Sequence, residues 1–421
     1  MKKTDYVVLT LFCTYIIFLP LVPSFKSEWI LTSTIFLIGI IYIFELIFDK
    51  SQLYKFISKV KVVVKEPFTY IFLGFLVFMI ISVAFSNNKM SSGKETLRFV
   101  YYFALYMLIR FRLDSQKYFI IIMKAFLLGS FLVSFIGITQ FLMSYKPGSS
   151  LDDILFLYRG KSTLGHPNTL GAYVILAIFP AILIALKTKG IKKIWYILLA
   201  IILSINLAIS FSRNAWLAFA IGILLLIIIY NWKFVLLSVI PFLYVLFSPK
   251  IFSRAKQILD EASNEGRFKL WKLAEKMIND HLFTGVGSGN FTNAYNEYVD
   301  KYPQLKVSEG HALPPHNSYI RVFAENGVFG ALIFMVFCFD ILKKLYAIKD
   351  KCRGFVNYFL SGYLVSLMCF YIMNCFDDLF YVPKVATNFF VFMSLIYAIN
   401  AAEKNNNKKD EDNEEHIKKL D

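Results

Sequence analysis

Three side chains suited to handling anions and protons lie in polar stretches of a chain that is otherwise strongly apolar. Arg213 stands in AISFSRNAWLAF, Arg267 in NEGRFKLW and His316 in LPPHNSYI. Arginine stays charged and holds phosphate oxygens through paired hydrogen bonds, whereas a neutral imidazole accepts a proton near physiological pH. Two fixed cations and one titratable base on one side of a membrane predict a site for chemistry on a phosphorylated lipid.

The composition is that of a membrane protein. Of the 421 residues, 57% are hydrophobic and 18% are charged. A bilayer core of about 30 Å needs roughly 20 apolar residues per helix, and backbone groups in lipid must bond internally, so the apolar runs are expected to be helices. Twelve such runs are present, at about 5–23, 28–48, 67–85, 95–110, 118–143, 167–186, 194–211, 214–230, 232–248, 318–342, 355–374 and 384–402.

Basic residues are concentrated in alternate connections between these runs. Five lysines lie in DKSQLYKFISKVKVVVKEP, four in KTKGIKK and five Lys or Arg in KKLYAIKDKCRG. This bias assigns the basic segments to the cytoplasmic side and places Arg213 and the long loop 249–316 outside. The net charge of +16 is therefore a topology signal, and no nucleic-acid partner is expected.

These patterns predict an all-α fold, a polytopic integral membrane protein with about twelve transmembrane helices and one large external loop containing amphipathic helices. Residues 1–248 are expected to form helices one to nine, and 249–316 the external loop. Residues 317–402 are expected to form helices ten to twelve, and 403–421 a disordered cytoplasmic tail. The first run resembles a signal peptide but lacks a cleavage site, so it is interpreted as a retained helix.

The external loop contains a predicted helix with an apolar stripe and a following glycine turn, TGVGSGNF (284–291). An amphipathic helix beside a membrane is expected to lie in the interface, which would place Arg267 at headgroup depth. The alternative is an arginine that only anchors the helix. The stripe consists of Phe268, Trp271, Ala274 and Ile278.

His316 is predicted to stand at the start of helix ten. The positive end of the helix dipole disfavours an imidazolium there, so a neutral base is expected. In the loop before helix six, Arg159, Lys161 and His166 are candidates for neutralising an anionic substrate, with ordinary loop solubility as the alternative. The GKST sequence of that loop is not a P-loop, since Leu155 stands where the motif requires glycine.

Neither a metal nor another cofactor is expected. The five cysteines form no CxxC pair, which argues against disulfides and a metal cluster; they are Cys13, Cys338, Cys352, Cys369 and Cys375. Two external carboxylate pairs, Asp152-Asp153 and Asp377-Asp378, are the alternative, but adjacent residues on a helix do not converge on one ion.

Four motifs in order resemble the O-antigen ligase and O-antigen polymerase superfamily of bacterial membrane glycosyltransferases: HPNTLGAY, SRNAWLA, GRFKLWKLAEKMINDHLFTGVGSGNF and PPHNSYIRVFAENGVFG. The similarity runs from about residue 160 to 331. It implies that Arg213 and Arg267 bind the pyrophosphate of a lipid-linked donor and that His316 activates the acceptor. Some members have a second histidine closer to this position than His311, so whether His311 shares the role stays open.

The resemblance implies transfer of a glycan from an undecaprenyl-pyrophosphate-linked donor to a glycan or lipid-anchored acceptor. The reaction is expected at the outer face of the inner (cytoplasmic) membrane, with inversion and without a metal. A ligase is favoured over a polymerase of the same superfamily. The alternative from another class is a transporter or flippase of anionic lipids, which predicts charged residues near the bilayer midplane.

Overall fold

The computed structural model describes residues 3–22, 24–144, 159–235, 261–307 and 312–418, which form helices and turns without a β-strand. This confirms the all-α fold class. The fourteen α-helices are α1 (Lys3–Phe18), α2 (Ser24–Phe48), α3 (Lys50–Val63), α4 (Pro67–Phe85), α5 (Lys89–Arg112), α6 (Gln116–Ser144), α7 (Pro167–Lys187), α8 (Ile191–Ile209), α9 (Arg213–Ile229), α10 (Glu261–Asp280), α11 (Phe291–Lys301), α12 (Ser318–Lys349), α13 (Gly354–Met373) and α14 (Pro383–Lys418).

Apolar length marks most of these helices as membrane spans. Of the described helices, 7 are long and apolar enough to cross a bilayer, namely α4, α6, α7, α8, α12, α13 and α14. Shorter apolar helices cover Thr4–Phe18, Ser33–Phe48 and Arg213–Ile229. All of these coincide with predicted runs, and α5 overlaps a further one. The predicted run 232–248 is described only as far as Val235, and the rest of it lies outside the described residues.

Helix α7 is the centre of the bundle. Of the most apolar stretch of α7, 94% of the residues are buried inside the protein, because α8 and α13 pack along this helix. Gly362 of α13 permits this contact, since a Cβ there would lie 2.4 Å from the backbone nitrogen of Pro180 in α7. Beside α7, aromatic rings from α4, α5, α12 and α14 fill the core, among them Phe72, Tyr102, Phe337 and Phe390. Close packing of this kind fixes the relative positions of the helix ends.

Several helix ends meet at one end of the bundle, where α7, α9, α12 and α14 begin and α8 and α13 end. Ser318 N donates to Asn374 O at 2.9 Å, which joins the start of α12 to the end of α13. Asn214 Nδ2 donates to Met373 O at 2.9 Å, which joins the start of α9 to the same place. This end is called the polar end below, and it is formed by residues 159–167, 209–214, 312–321 and 374–383.

Helix α12 is interrupted at Gly327, which has φ 69° and ψ −177°. The interruption leaves backbone groups of α12 without partners inside the helix, and the external loop supplies them. Val286 N donates to Ala324 O at 2.9 Å, and Val328 N donates to Leu282 O at 2.8 Å. The glycine turn is thereby bonded to a membrane-spanning helix on both sides of its interruption.

The external loop has a small core of its own. Phe268 of the predicted stripe is 47% exposed, whereas other apolar side chains of α10 are buried against α11 and α12. The structure therefore differs from the prediction of an apolar face turned to the membrane. Helical periodicity defines a face but not its partner. The buried set is Leu270, Leu273, Ala274 and Met277 from α10, with Phe291, Tyr295 and Tyr298 from α11.

Two segments predicted to be a connection and a tail are helical. Residues 49–66 contain α3, and α14 extends to Lys418. Because nucleation is the costly step, a helix begun by apolar turns propagates into polar sequence.

We predict that Gly327→Ala destabilises the protein. A Cβ at this position would lie 2.3 Å from the carbonyl oxygen of Phe283, and the backbone is left-handed. A backbone with φ 69° and ψ −177° is essentially restricted to glycine and costs another residue of order 1–3 kcal/mol. The midpoint of thermal unfolding in detergent should fall clearly below that of the wild type. Gly93→Ala in α5, where a Cβ meets nothing within 4 Å, is the matched control and should leave it unchanged or higher. Equal midpoints for the two variants would contradict the role given to Gly327.

Candidate functional site

His316 lies in the turn before α12 with a left-handed backbone, φ 51°. Its backbone N–H donates to Asp378 Oδ2 at 3.1 Å, and the next residue, Asn317, caps α12. On the other side, Trp271 Nε1 of α10 donates to the carbonyl of Pro315 at 2.9 Å. Backbone strain of this kind costs of order 1–3 kcal/mol and persists only where the surroundings impose it. Contacts on both sides therefore hold the histidine in place.

Asp377 connects the histidine to α7. Its Oδ1 lies 3.8 Å from His316 Nδ1, and its Oδ2 accepts a hydrogen bond from Asn168 Nδ2 at 2.7 Å. Burial alone would raise the pKa of Asp377, but the imidazole, the N–H of Asp378 and the amide of Asn168 together lower it. A carboxylate with a lowered pKa is ionised at neutral pH, so a negative charge faces the Nδ1 edge of His316.

Arg213 is the first residue of α9, and the residue before it belongs to the same network. Ser212 Oγ accepts from Ala215 N at 3.3 Å as the helix cap and donates to Asn168 Oδ1 at 2.9 Å. Asn168 thus bridges Ser212 and Asp377 with its two amide atoms. The start of α9, which carries Arg213, is two hydrogen bonds away from the Asp377 carboxylate.

Arg159 supports the turn that precedes Arg213. Its Nε donates to Ser210 O at 3.2 Å, and its Nη2 donates to Phe211 O at 2.9 Å. Phe211 has a left-handed backbone, φ 47°, so the turn gains from this support. The guanidinium satisfies carbonyls at the end of α8 that have no partner within the helix. In this structure Arg159 positions the turn, a role that the sequence analysis did not consider. Whether it also neutralises an anionic substrate stays a prediction.

Arg267 comes to the polar end from the external loop. It is half-buried in α10, one turn before Trp271, whose indole fixes that helix next to His316. Burial lowers the pKa of Arg267, and the charge of Asp377 opposes that shift, so the guanidinium is within electrostatic range of the carboxylate. Arg267 and His316, 49 positions apart in the sequence, thus both act electrostatically on Asp377.

His166 is a second imidazole at the polar end. Its Nδ1 accepts from Asn168 N at 3.2 Å and caps α7. Partial burial lowers the pKa of His166; Asp377 opposes the shift, while Arg159, His316 and Lys161 add to it. In this structure His166, one of the candidates for neutralising an anionic substrate, is the cap of α7. The side chain of Lys161 is exposed at the polar end.

A buried ion network lies next to His316, centred on Glu325 of α12. Glu325 has no exposed surface. Its carboxylate binds four donors from the external loop, α12 and the turn before α14, which are Gly289 N at 2.8 Å, Phe291 N at 3.2 Å, Arg321 Nε at 2.9 Å and Tyr381 OH at 2.8 Å. Because Phe291 begins α11, the anion also sits at the positive end of that helix.

Asp378 links this network to the histidine. Arg321 Nη1 lies 3.9 Å from Asp378 Oδ2, and its guanidinium stacks over the ring of Tyr381 at 3.7 Å. Burial raises the pKa of Asp378 to about 6, although Arg321 and His316 act in the opposite direction. The same Oδ2 accepts the backbone N–H of His316. The backbone of the candidate base is therefore connected, through two carboxylates and one arginine, to the interruption of α12.

The Asp377-Asp378 pair, considered above as a possible metal site, does not direct its two carboxylates to a common point. Asp377 faces Asn168 and His316, whereas Asp378 faces Arg321. Within the described ranges, no three His, Cys, Asp or Glu side chains are grouped as a metal would require. The other carboxylate pair, Asp152-Asp153, lies outside the described residues. So does His311, whose share in the role of His316 stays open.

Three contributors to the site were missed in the sequence. Asn168 stands in the HPNTLG motif, and its position beside His166 was the available signal. Asp377 was considered only as a metal ligand, because nothing local links it to a histidine 61 residues earlier. Glu325 is a carboxylate inside an otherwise apolar run, FAENGVFG, and a buried charge in such a run calls for a partner.

The apolar spans and the charged cluster at their shared end define a polytopic membrane protein with a polar site at one face of the bundle. Residues 198–335 match the family model described as O-antigen ligase. This match confirms the predicted resemblance to the O-antigen ligase and polymerase superfamily. The matched segment includes Arg213, Arg267 and His316, whereas Asn168 and Asp377 lie outside it. No curated protein matches the chain.

We predict that Glu325→Gln destabilises the fold, even though the side chain keeps its shape. In the wild type, four donors bind the Glu325 carboxylate. The side-chain NH₂ group of a glutamine would face some of these donors and could not accept their hydrogen bonds. Removing one partner of a buried ion pair typically costs about 3–5 kcal/mol. A large drop in the thermal midpoint is expected, against no change for Glu275→Gln on the exposed face of α10. A Glu325→Gln protein as stable as the wild type would show that the network is not structural.

Proposed function

We propose that the protein transfers a glycan from a polyprenyl-pyrophosphate lipid to an acceptor hydroxyl at the outer face of the cytoplasmic membrane. The family match supports a ligase-type or polymerase-type glycosyl transfer. The observation that carries the proposal is the approach of His316 to the Asp377 carboxylate, which Asn168 ties to the start of α9 and so to Arg213. Trp271, one turn after Arg267, holds α10 beside His316. Cation, base and ionised carboxylate are thereby collected at one end of a membrane-embedded bundle.

In this proposal, Arg213 and Arg267 bind the donor pyrophosphate. When the bond between the anomeric carbon and the pyrophosphate oxygen breaks, negative charge grows on the phosphates, and guanidinium groups already in place stabilise it. Arg267 is half-buried, which strengthens its interaction with an anion relative to one in water. Because pyrophosphate is already a good leaving group, the site needs no strong general acid.

His316 is proposed as the base. Its Nε2 takes the proton of the acceptor hydroxyl while that oxygen attacks the anomeric carbon, and direct displacement inverts the configuration. Proton transfer of this kind contributes typically about 10²–10⁴-fold. Asp377 is the positioning residue, because an anion beside Nδ1 favours the tautomer with the proton on Nδ1 and leaves Nε2 free as the base. The present separation of 3.8 Å is longer than a hydrogen bond, and such contacts often tighten when substrate binds.

We favour a ligase, whose acceptor is a separate glycan or lipid-anchored molecule, over a polymerase, whose acceptor is a second lipid-linked repeat unit. Both activities use the same donor chemistry at the proposed arginines. Incubating the purified protein with lipid-linked donor alone, and then with donor plus a candidate acceptor, distinguishes the two. Chain growth from donor alone would establish the polymerase.

Replacing either proposed pyrophosphate ligand by lysine should impair transfer strongly. Lysine keeps the charge but cannot form the paired hydrogen bonds of a guanidinium, so Arg213→Lys and Arg267→Lys should each lose about tenfold or more in kcat/KM. Alanine at either position should cost about 10²–10³-fold. Transfer is measured with purified lipid-linked donor, and Arg353→Lys, exposed before α13, is the control. An alanine variant with wild-type transfer would remove that arginine from the mechanism.

The two members of the His316–Asp377 pair should be distinguishable by the pH dependence of single-turnover rates. The rate should rise as the imidazole loses its proton and then level off. In Asp377→Asn the plateau rate should fall, because the anion that favours the proton on Nδ1 and leaves Nε2 free is gone. His316→Asn is the matched variant, since asparagine tolerates the left-handed backbone; it should lose the limb and most of the rate while donor affinity is kept.

Two outcomes would contradict these assignments. Lost donor binding with normal turnover at saturating donor would make His316 a phosphate ligand and not a base. A plateau rate in Asp377→Asn equal to that of the wild type would show that Asp377 does not position the base, whatever its effect on stability.

A further inference from the structure

Helix α3 connects two membrane-spanning helices at the end of the bundle opposite the polar end. Asp49, the single residue between α2 and α3, is extended, and its carboxylate accepts from Ser51 N at 3.0 Å as the helix cap. The helix has 14 residues, so it is roughly 21 Å long, too short to cross a bilayer. It returns the chain to the start of α4, and α4 ends at Phe85, close to the glycine turn of the external loop.

One face of α3 is packed against the bundle. The ring of Phe56 lies between Tyr42 of α2 and Phe111 of α5, at centroid distances of 5.9 and 5.1 Å. Lys59 Nζ donates to the carbonyl of Phe111 and pairs with Asp114, both at 2.8 Å. These contacts fix which faces of α3 point away from the protein.

An exposed apolar stripe lies beside the packed face. Leu53, Ile57 and Val64 are 38%, 43% and 42% exposed, and their spacing places them within roughly 40° of one another around the helix. The stripe is followed around the helix by exposed lysines, Lys61 first and Lys55 further round, with Lys50 at the first turn. The lysine side also carries Tyr54 and Val62, which are 74% and 59% exposed, so apolar and basic side chains together cover the face turned away from the bundle.

The surroundings of the stripe indicate a lipid surface. Large apolar side chains at the adjoining end of α2 are also exposed, including Ile43, Phe44 and Ile47 at 57%, 57% and 66%. In a membrane-spanning helix such side chains face acyl chains, and the α3 stripe continues their surface. Basic side chains next to an apolar stripe match the headgroup region, where acidic lipids attract each Lys.

We propose that α3 lies in the plane of the membrane surface opposite the polar end and binds acidic phospholipid headgroups through Lys50, Lys55 and Lys61. Leu53, Ile57 and Val64 enter the acyl-chain boundary, and the packed face holds the helix at that depth. The lysines that mark the topology of the chain would thus also form a lipid-binding surface. This inference does not depend on the proposed transfer activity.

The test compares acidic with zwitterionic lipid on the full-length protein in detergent. Phosphatidylglycerol, titrated against phosphatidylcholine, should raise the thermal midpoint of the wild type, and added salt should reduce the gain. In the triple variant Lys50→Gln, Lys55→Gln, Lys61→Gln, the apparent affinity for phosphatidylglycerol should fall by at least about tenfold. The control is Lys189→Gln, Lys192→Gln, Lys193→Gln, exposed lysines just before and in the first turn of α8, which should keep most of the gain.

A depth measurement separates lipid from a soluble partner. A spin label at Ile57→Cys, in vesicles, should be accessible to oxygen and shielded from an aqueous nickel reagent, and a label at Lys55→Cys should show the reverse bias. Full retention of the phosphatidylglycerol gain in the α3 triple variant would overturn the proposal. A label at position 57 as open to nickel as one at position 55 would also overturn it and would indicate a surface for a soluble protein.

Discussion

The Glu325 carboxylate is the interaction on which the arrangement of the polar end depends. Taking an ion out of water costs several kcal/mol even after relaxation, so a fully buried carboxylate requires strong compensation. Here the compensation comes from a guanidinium, a phenol and two backbone N–H groups at the start of α11. Since these donors belong to separate parts of the chain, satisfying one charge fixes the external loop, α12 and the turn before α14 relative to one another.

From Glu325 the constraint passes to the proposed reacting groups. Arg321 is shared between Glu325 and Asp378, and Asp378 binds the backbone of His316. The neighbouring Asp377 faces the imidazole and, through Asn168, the start of α9. Two adjacent carboxylates thus have different tasks, because one holds the main chain of the histidine and the other its side chain.

Much of the fold follows from apolar length and charge alone, since lipid leaves a chain few options. Arg213, Arg267 and His316 could be selected from the sequence because charged and titratable residue types are uncommon beside membrane spans. Their partners could not be selected in the same way. Asp377 is paired by packing of α13 against α7 and α9, which no local pattern records. Periodicity showed that α10 is amphipathic, but its apolar face meets α11 and α12. Residues 49–66 were interpreted only by their charge, although they also have a helical repeat.

The interruption of α12 has a consequence for how such proteins diversify. The loop carries Arg267, yet its glycine turn completes the hydrogen bonding of α12, and Ser82 of α4 donates to the carbonyl of Glu325 at 2.6 Å. Loop and spans therefore form one structural module whose boundary lies within α12. Exchange of loop segments between relatives, by recombination or by design, would have to carry the first turns of α12 and the matching end of α4. New specificity in this architecture is then more accessible by substitution within the loop than by replacement of the whole segment.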